Sequence, residues 1–402
     1  MKNNLSKIIL SLFFILTLAG GFLANAVKAA GEIEEYKEVY GAYLSQNKGF
    51  VSALKAGLLT LYDSAKGMGE NTAFKNTFIN LYGLAKHFNP APCPDRAKTV
   101  RLKDGSLGLL ADRAADLDKR ADTVLRLQIA VKNIGCDLLY IQLPSKIKQD
   151  ENLLPKYVED FSVENADSFL AALDQRGVKT YDLRQELYPS AKDCNKLFYR
   201  TDHHWKAETG LFAAGLIAEK ISREYGLDIK PELFEKDNFN KEEYGKIFLG
   251  SLGKRLGKYY AAPDDFCLLT PKYDTNYLCK YHREDGQILI KEGNFRSAWI
   301  FEEHIKKDFF SQNVYMAYAG GPLPLIECEN RLMGGKTLLA VTDSFGDTLF
   351  PFLSAAFERL VIVDPRLYKG SIADLAAAER PDLCLFVINP STLDNDDFFE
   401  FG

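Results

Sequence analysis

KTLLAVTDSFGDTLFPFLSAAFERLVIVDPR, residues 336–366, decides how the rest of the chain is read. Thr337 to Val341 is a short apolar run of the kind a parallel sheet covers on both faces. Thr342-Asp343-Ser344-Phe345-Gly346 forms a turn. Pro351 falls early in a following helix that carries Phe352, Leu353, Ala356 and Phe357, and Leu360 to Val363 is a second strand. Strand, sharp turn, helix and strand put Ser344 at the carboxyl end of a strand, where open α/β sheets place their sites. Unpaired N–H groups at the adjacent helix start can stabilise an oxyanion. Alone, the pattern fits a helix-capping serine as well as a nucleophile; a base with a carboxylate partner elsewhere distinguishes the two.

Working outward, the same alternation recurs. Asp137 to Leu143 is a parallel-type strand stopped by Pro144, Glu164 to Gln175 a helix, Val178 to Asp182 a strand, and Lys206 to Glu224 a helix. Beyond Lys336 come a helix at Ile372–Glu379 and a strand at Leu383–Ile388. Ala111 to Lys132 is amphipathic, with Leu117, Ala121, Val124, Leu125 and Ile129 on one face, and Gly135 ends it. Val100–Leu102 and Leu107–Leu110 read as a hairpin around Asp104-Gly105. The expectation is an α/β fold: a doubly wound parallel sheet with helices on both faces. Residues 227–332 interrupt it with Gly245, Gly250, Gly253 and Gly257, turn signals at Pro271–Asn276 and Glu284-Asp285-Gly286, and β-type runs at Lys258–Ala262 and Gln287–Ile290. These predict an inserted antiparallel β element crossing the domain.

The N-terminus has a different character. Lys2 and Lys7 precede an apolar run, Ile8 to Leu23, which ends in small residues at Ala24-Asn25-Ala26 and Val27-Lys28-Ala29. Residues 1–29 are thus a secretory signal peptide or, uncleaved, an N-terminal anchor, and either places the body outside the cytoplasm. Residues 30–94 form a helical segment, closed by the rigid break at Pro90, Pro92 and Pro94, and residues 95–402 form the main domain. The formal charge of −5 becomes −8 without the three lysines of residues 1–29; this argues against nucleic acid and against a polybasic membrane patch. No pair of the seven cysteines has zinc-finger spacing. Cys136 and Cys384 sit in apolar runs as buried thiols, and Cys267 and Cys279 flank a hairpin signal across which they could pair.

The second chemical stretch is Leu197-Phe-Tyr-Arg-Thr-Asp-His-His-Trp205, before the Lys206 helix. A serine nucleophile needs a base within hydrogen-bond reach, and the base needs a carboxylate to fix its tautomer. Asp202 and His204 supply both on one turn; His203 then points the other way, and Trp205 packs beside the imidazole to exclude water. Against this, Asp202 could cap the helix and the histidines lie on the surface. Two of the five histidines occur here beside one of the two tryptophans, which favours a site. A metal site from Asp202, His203, His204, Asp343 and Asp347 competes, but no HExxH or third clustered histidine supports it, so no metal and no cofactor are expected.

Asp202-His203-His204-Trp205 together with Thr342-Asp343-Ser344-Phe345 resembles the DHHW protein family, itself similar to the SGNH-hydrolase-like alginate O-acetyltransferases with their D-x-H-W motif and later D-S-F serine. The resemblance spans residues 95–395. Leu143-Pro-Ser-Lys146, the glycine-rich Phe248–Tyr260, and Val363-Asp-Pro-Arg366 with Tyr368 look like family features. In ordinary SGNH hydrolases the serine comes first and D-x-x-H last, whereas here the order is Asp, His, Ser. Thr342 stands where a glycine often precedes Asp-Ser. The resemblance implies Ser344 as nucleophile, His204 as base and Asp202 as its orienter. It also implies serine-dependent acetyl transfer or ester hydrolysis on a cell-surface or extracellular polysaccharide, with an unknown acetyl donor and envelope-biosynthesis partners. Arg366, Asn389, Gly320 and Gly321 are candidate oxyanion or substrate donors, each also readable as a turn or ion-pair residue. The alternative is a non-catalytic carbohydrate-binding or assembly protein that keeps the fold, with Trp299, Tyr259 and Tyr260 stacking on sugars.

Overall fold

The structure is a computed structural model and describes residues 75–88, 98–148, 153–190 and 194–401. The signal or anchor segment, the helices expected before residue 75 and the proline break at 90–94 lie outside these residues. The chain divides into two compact units at Tyr82 and Gly83. Helix α1, Lys75–Phe88, runs through that position. No helix among the described residues is long and apolar enough to cross a membrane.

In the second unit, β1 (Thr99–Arg101) and β2 (Leu107–Leu109) form the expected antiparallel hairpin. Helix α2 (Leu117–Asn133) starts six residues later than its periodicity suggests, behind a left-handed Asp116. It ends at Gly135, whose N–H bonds the Lys132 carbonyl. There follow β3 (Asp137–Gln142), α3 (Ser162–Asp174), β4 (Thr180–Asp182), α4 (Arg184–Ser190) and α5 (Ala207–Tyr225). The insertion supplies β5 (Phe239–Phe248), α6 (Ser251–Leu256), β6 (Asp264–Pro271), β7 (Tyr277–His282), β8 (Ile288–Gly293), α7 (Phe295–Trp299) and β9 (Leu325–Asn330). The chain closes with β10 (Thr337–Thr342), α8 (Phe350–Leu353), β11 (Arg359–Val363), α9 (Ile372–Glu379) and β12 (Leu383–Ile388).

One eight-stranded sheet runs in the order β4-β3-β12-β10-β11-β9-β7-β8. The first five strands are parallel to one another, and β9, β7 and β8 continue antiparallel. Both faces of β10 are buried, and its alternation divides the core. Leu338 and Ala340 join the face covered by Leu211, Ala214, Ile217 and Ile221 of α5. Leu339 and Val341 join the face covered by α2, α3 and α9 through Val124, Leu127, Phe169 and Ala376. Helices therefore pack on both faces of the parallel sheet, as the doubly wound expectation requires. Each such side chain contributes about 1.5–3 kcal/mol by leaving water.

Numbered cyclically from β10 through β11, β12, β3 and β4, the five parallel strands lie in the order 2-1-3-4-5, a common doubly wound order. The switch point falls beside the carboxyl end of β10, where Ser344 sits. The segment bearing Asp202 and His204 follows β4, the last strand of the cycle.

The inserted antiparallel β element is present as expected, with β7, β8 and β9 extending the main sheet beyond β11 and β5 and β6 forming a two-stranded sheet of their own. Several local expectations are corrected. Lys258–Ala262 is a turn rather than a strand, because Gly257, at φ +82°, ends α6 immediately before it. Cys267 and Cys279 do not pair. Their strands belong to different sheets, so Cys267 is a buried thiol while Cys279 bonds Cys328, its register partner on β9. The helix after Ser344 is broken into a 3-10 turn at Ser344–Thr348, the short α8, and a second 3-10 turn at Ser354–Ala356. Pro351 has no N–H to offer the Asp347 carbonyl, so the first turn cannot propagate as an α-helix.

Candidate active site

The serine turn is fixed from three sides. Asp343 caps it, with Oδ1 accepting the Phe345 N–H at 3.0 Å. Its Oδ2 accepts the Asn389 N–H and the Thr392 hydroxyl, both at 2.7 Å, tying the end of β10 to the end of β12. Burial pushes the Asp343 carboxyl above its ordinary value, against the pull of Arg366 and these donors. Position 346 demands glycine, since a Cβ there would lie 2.5 Å from Thr342 Cγ2. The Phe345 and Gly346 N–H groups are consumed by Asp343, and among the described residues no acceptor meets the Ser344 N–H.

The 197–206 loop folds back on itself. Phe198 and Trp205 form an isolated β-bridge, and the Tyr199 N–H donates to the His204 carbonyl. Asp264 accepts the Arg200 and Thr201 N–H groups and the Thr201 hydroxyl at 2.6–2.8 Å. On the other side the buried Lys146 ammonium donates to the carbonyls of Leu107, Tyr199, Arg200 and Asp202 at 2.6–3.2 Å. The loop's backbone is thus held by a carboxylate and an ammonium, both buried with their hydrogen bonds satisfied.

Within this frame Ser344, His204 and Asp202 come together. His204 Nε2 lies 2.7 Å from Ser344 Oγ, and His204 Nδ1 lies 2.6 Å from Asp202 Oδ1. Asp202 Oδ1 also accepts the His204 N–H at 3.0 Å, and Oδ2 accepts the Ser251 N–H at 2.5 Å. Burial alone would raise the Asp202 carboxyl. The charges of His204 and His203 and the bonds from His204 outweigh it and hold the group far below the usual carboxylate range. Gly250 makes the approach possible, for a Cβ there would lie 2.3 Å from Asp202 Cβ and 2.5 Å from its Oδ2.

Two neighbours of His204 differ from expectation. His203 does not point away; its ring centroid is 3.9 Å from that of His204, and its Nδ1 is 3.2 Å from Ser251 Oγ and 3.3 Å from Asp202 Oδ1. Burial and the adjacent His204 charge push the His203 imidazole down to about 3, against the pull of Asp202, so it is neutral near pH 7. The ring stacked on His204 is that of Tyr315, at 4.1 Å with 17° between planes, and Phe345 lies tilted against it at 5.1 Å. Trp205 instead packs edge-on against Phe345 and donates to Thr348 Oγ1 at 2.8 Å.

Asp202, His203 and His204 offer ligand atoms within 4.8 Å of one another. An ion with bonds of about 2.0–2.1 Å in tetrahedral geometry needs donor atoms roughly 3.3 Å apart. The Asp202–His204 separation of 2.6 Å is that of a shared proton.

The secondary donors have structural engagements. Asn389 Nδ2 donates to the Pro144 carbonyl at 2.7 Å, while its Oδ1 accepts from the Ser391 N–H and hydroxyl. Arg366 forms a two-point pair with Asp364. Gly320 and Gly321 both have positive φ in a turn where a Cβ would meet Phe301 and Met316. Of the aromatics considered for sugar stacking, Trp299 and Tyr260 belong to the core and only Tyr259 is exposed. Sequence reasoning missed Tyr315, Ser251, Asp264 and the cage around Lys146. Gly250-Ser251 and Lys146 fall in stretches that carried the family resemblance, whereas Tyr315 had no local signal.

Residues 104–268 match the family model of the SGNH hydrolase-like domain of the acetyltransferase AlgX. Among solved structures the fold is shared with PatB1 of Bacillus cereus, at TM-score 0.63 and 20% identity over 74% of this chain and 98% of that one. PatB1 with a sulfonyl adduct gives TM-score 0.62 and 19% identity over 75% and 97%. A DHHW family protein from Eubacterium siraeum gives TM-score 0.55 and 16% identity over 74% and 96%. No curated protein matches the chain by sequence. The chain therefore has an SGNH-hydrolase-like fold, residues 104–268 are similar to the AlgX-type domain, and the resemblance to the DHHW and alginate-type proteins is borne out.

Proposed function

We propose that the protein is an exported serine O-acetyltransferase that moves acetyl groups onto a cell-surface or extracellular polysaccharide. The observation that carries the reading is the continuous relay from Asp202 through His204 to Ser344, with both hydrogen bonds at 2.6–2.7 Å. Ser344 Oγ attacks the acetyl carbonyl while His204 Nε2 accepts its proton, and Asp202 holds the imidazole in the tautomer with Nε2 unprotonated. The Ser344 N–H is available to the oxyanion. His204 then returns the proton to the departing alcohol, leaving acetyl-Ser344. In the second half a sugar hydroxyl gives its proton to His204 and attacks the acetyl-serine, releasing the O-acetylated glycan and restoring Ser344; water in that place gives hydrolysis.

Export is supported by the charged and apolar N-terminal pattern and by the buried Cys279–Cys328 disulfide, a linkage characteristic of oxidising compartments. Acetyl transfer is supported by the match of residues 104–268 to the AlgX acetyltransferase domain, and a carbohydrate acceptor is what the resemblance to the alginate O-acetyltransferases implies.

The test is acetyl release from a chromogenic acetyl ester, with and without oligosaccharide acceptors, alongside Ser344→Ala and intact-mass detection of the acetylated serine. Acceptor-dependent turnover that vanishes in Ser344→Ala supports the proposal. Turnover surviving in Ser344→Ala, or a wild-type protein that neither acetylates nor is labelled by a serine-directed phosphonate, refutes it.

A further inference from the structure

Tyr315 lies 29 residues before Ser344, in the 3-10 helix Val314–Ala317 of the insertion, where Asn313 caps its N–H. It touches both halves of the relay. Its ring lies flat against the His204 imidazole at 4.1 Å. Its hydroxyl donates to the Ser344 carbonyl at 3.1 Å and meets Thr348 Oγ1 at 3.0 Å. Thr348 Oγ1 in turn accepts the Trp205 indole N–H at 2.8 Å.

With the Tyr315 proton directed to Ser344, Thr348 must donate to Tyr315, and the chain has one direction: Trp205 to Thr348 to Tyr315 to Ser344. Trp205 adjoins His204 in sequence, and His204 reaches Ser344 through Nε2. The interactions therefore close a ring around the base and the nucleophile, and Tyr315 is its only member in the insertion.

We propose that Tyr315 is a positioning residue that holds His204 in line with Ser344 and stabilises the positive charge on the imidazole when it takes the serine proton. The proposal rests on the relay reading above. A cation within about 6 Å of an aromatic face is attracted by the ring quadrupole, and the attraction grows where water is excluded. Tyr315 is fully buried, and burial holds its phenol well above the ordinary value, so the ring stays neutral and the hydroxyl stays a donor. The charged and titratable groups facing this pair are Asp202 and His203 from the 197–206 loop, Asp343 and Asp347 from the serine turn, and, acting on the adjacent His203, Lys146 and Arg255. The Asp202 carboxylate, held low, favours imidazolium, whereas burial pushes the Asp343 and Asp347 carboxyls up and Lys146 and Arg255 oppose a second cation, so Tyr315 adds to the attraction of Asp202.

The experiment is steady-state kinetics on a chromogenic acetyl ester across pH, with melting curves, for Tyr315→Leu, Tyr315→Phe, Thr348→Val and Ser344→Ala. Tyr315→Leu is expected to lower kcat by about 10-fold or more with KM changed less than about 2-fold, because the lost interaction strengthens only in the transition state. Its acid limb in kcat/KM moves to lower pH, since the protonated ring has lost its stacked aromatic face and keeps only the tilted Phe345. Tyr315→Phe keeps the face and loses only the hydroxyl, so kcat falls a few-fold and the acid limb stays. Thr348→Val has a similar effect, and combining it with Tyr315→Phe is non-additive because both break one chain. Wild-type kcat and pH profile in folded Tyr315→Leu overturn the proposal. Should that variant not fold, wild-type kcat in both Tyr315→Phe and Thr348→Val overturns it. Turnover in Ser344→Ala removes the relay reading itself, whereas a dead Ser344→Ala beside an unaffected Tyr315→Leu removes only the role of Tyr315.

Discussion

Replacing Asp202 or Asp343 by asparagine separates the two carboxylates of the site, because each amide must choose which oxygen to keep. At Asp202, Oδ1 faces the His204 N–H and Nδ1, and Oδ2 faces the Ser251 N–H at 2.5 Å. The Ser251 and His204 N–H groups are both backbone and cannot reverse, so either orientation leaves one of them facing the amide NH2; the shorter Ser251 contact favours the oxygen on that side, and the imidazole can change tautomer. The amide oxygen therefore takes the Ser251 side, and the amide NH2 donates to His204 Nδ1. That places the ring proton on Nε2, facing Ser344, and removes the base. The expected loss is about 10⁴-fold in kcat, equivalent to about 5.5 kcal/mol of barrier. The stability cost is about 1–2 kcal/mol, for the one N–H left facing an NH2. At Asp343, Oδ1 can keep its bond to Phe345, but an NH2 at Oδ2 meets the Asn389 N–H and the Thr392 hydroxyl. Thr392 can rotate to accept; the Asn389 N–H cannot. The loss is about 2–4 kcal/mol of stability, moderated because burying the charge was itself costly. Urea unfolding midpoints and initial rates on an acetyl ester, measured on both variants, test this. If Asp343→Asn loses turnover at wild-type stability while Asp202→Asn does the reverse, the assigned roles are exchanged and the reasoning fails.

Other predictions follow from particular contacts. Gly250→Ala should abolish most turnover in a protein that still folds, because the new methyl displaces Asp202 while φ at that position, −65°, suits alanine; rates and near-UV circular dichroism check it. Replacing Cys279 and Cys328 together by alanine opens a loop of sequence separation 49 and should cost about 4 kcal/mol by chain entropy, read as a drop in the urea midpoint with kcat unchanged. The Asp202 carboxyl is depressed in the folded state, so its stabilising contribution is fully present above about pH 4 and is lost as pH falls through the lower folded value. Asp202→Asn should therefore flatten the acid limb of stability against pH, and an unchanged limb counts against the proposed Asp202–His204 coupling.

Sequence alone determined the elements whose physics is local. The apolar runs at Thr337–Val341 and Leu383–Ile388 read as strands buried on both faces, and amphipathic periodicity identified α2. The proposed relay of Asp202, His204 and Ser344 was legible because a histidine, a carboxylate two residues before it and a strand-end serine each carry a recognisable neighbourhood. What surrounds them was not legible. Tyr315, Asp264 and Ser251 reach the site from three different elements of the insertion, a 3-10 turn, β6 and α6, and no local period points any of them toward it. Tertiary structure also decided the disulfide: Cys279 meets Cys328 through strand register, a pairing between segments far apart in sequence, whereas the nearer Cys267 lies in another sheet. Local periodicity reports which side of an element is buried. Which elements become neighbours is set by the packing of the whole sheet, and it was that packing that placed Tyr315 against His204 and an alanine-excluding glycine against Asp202.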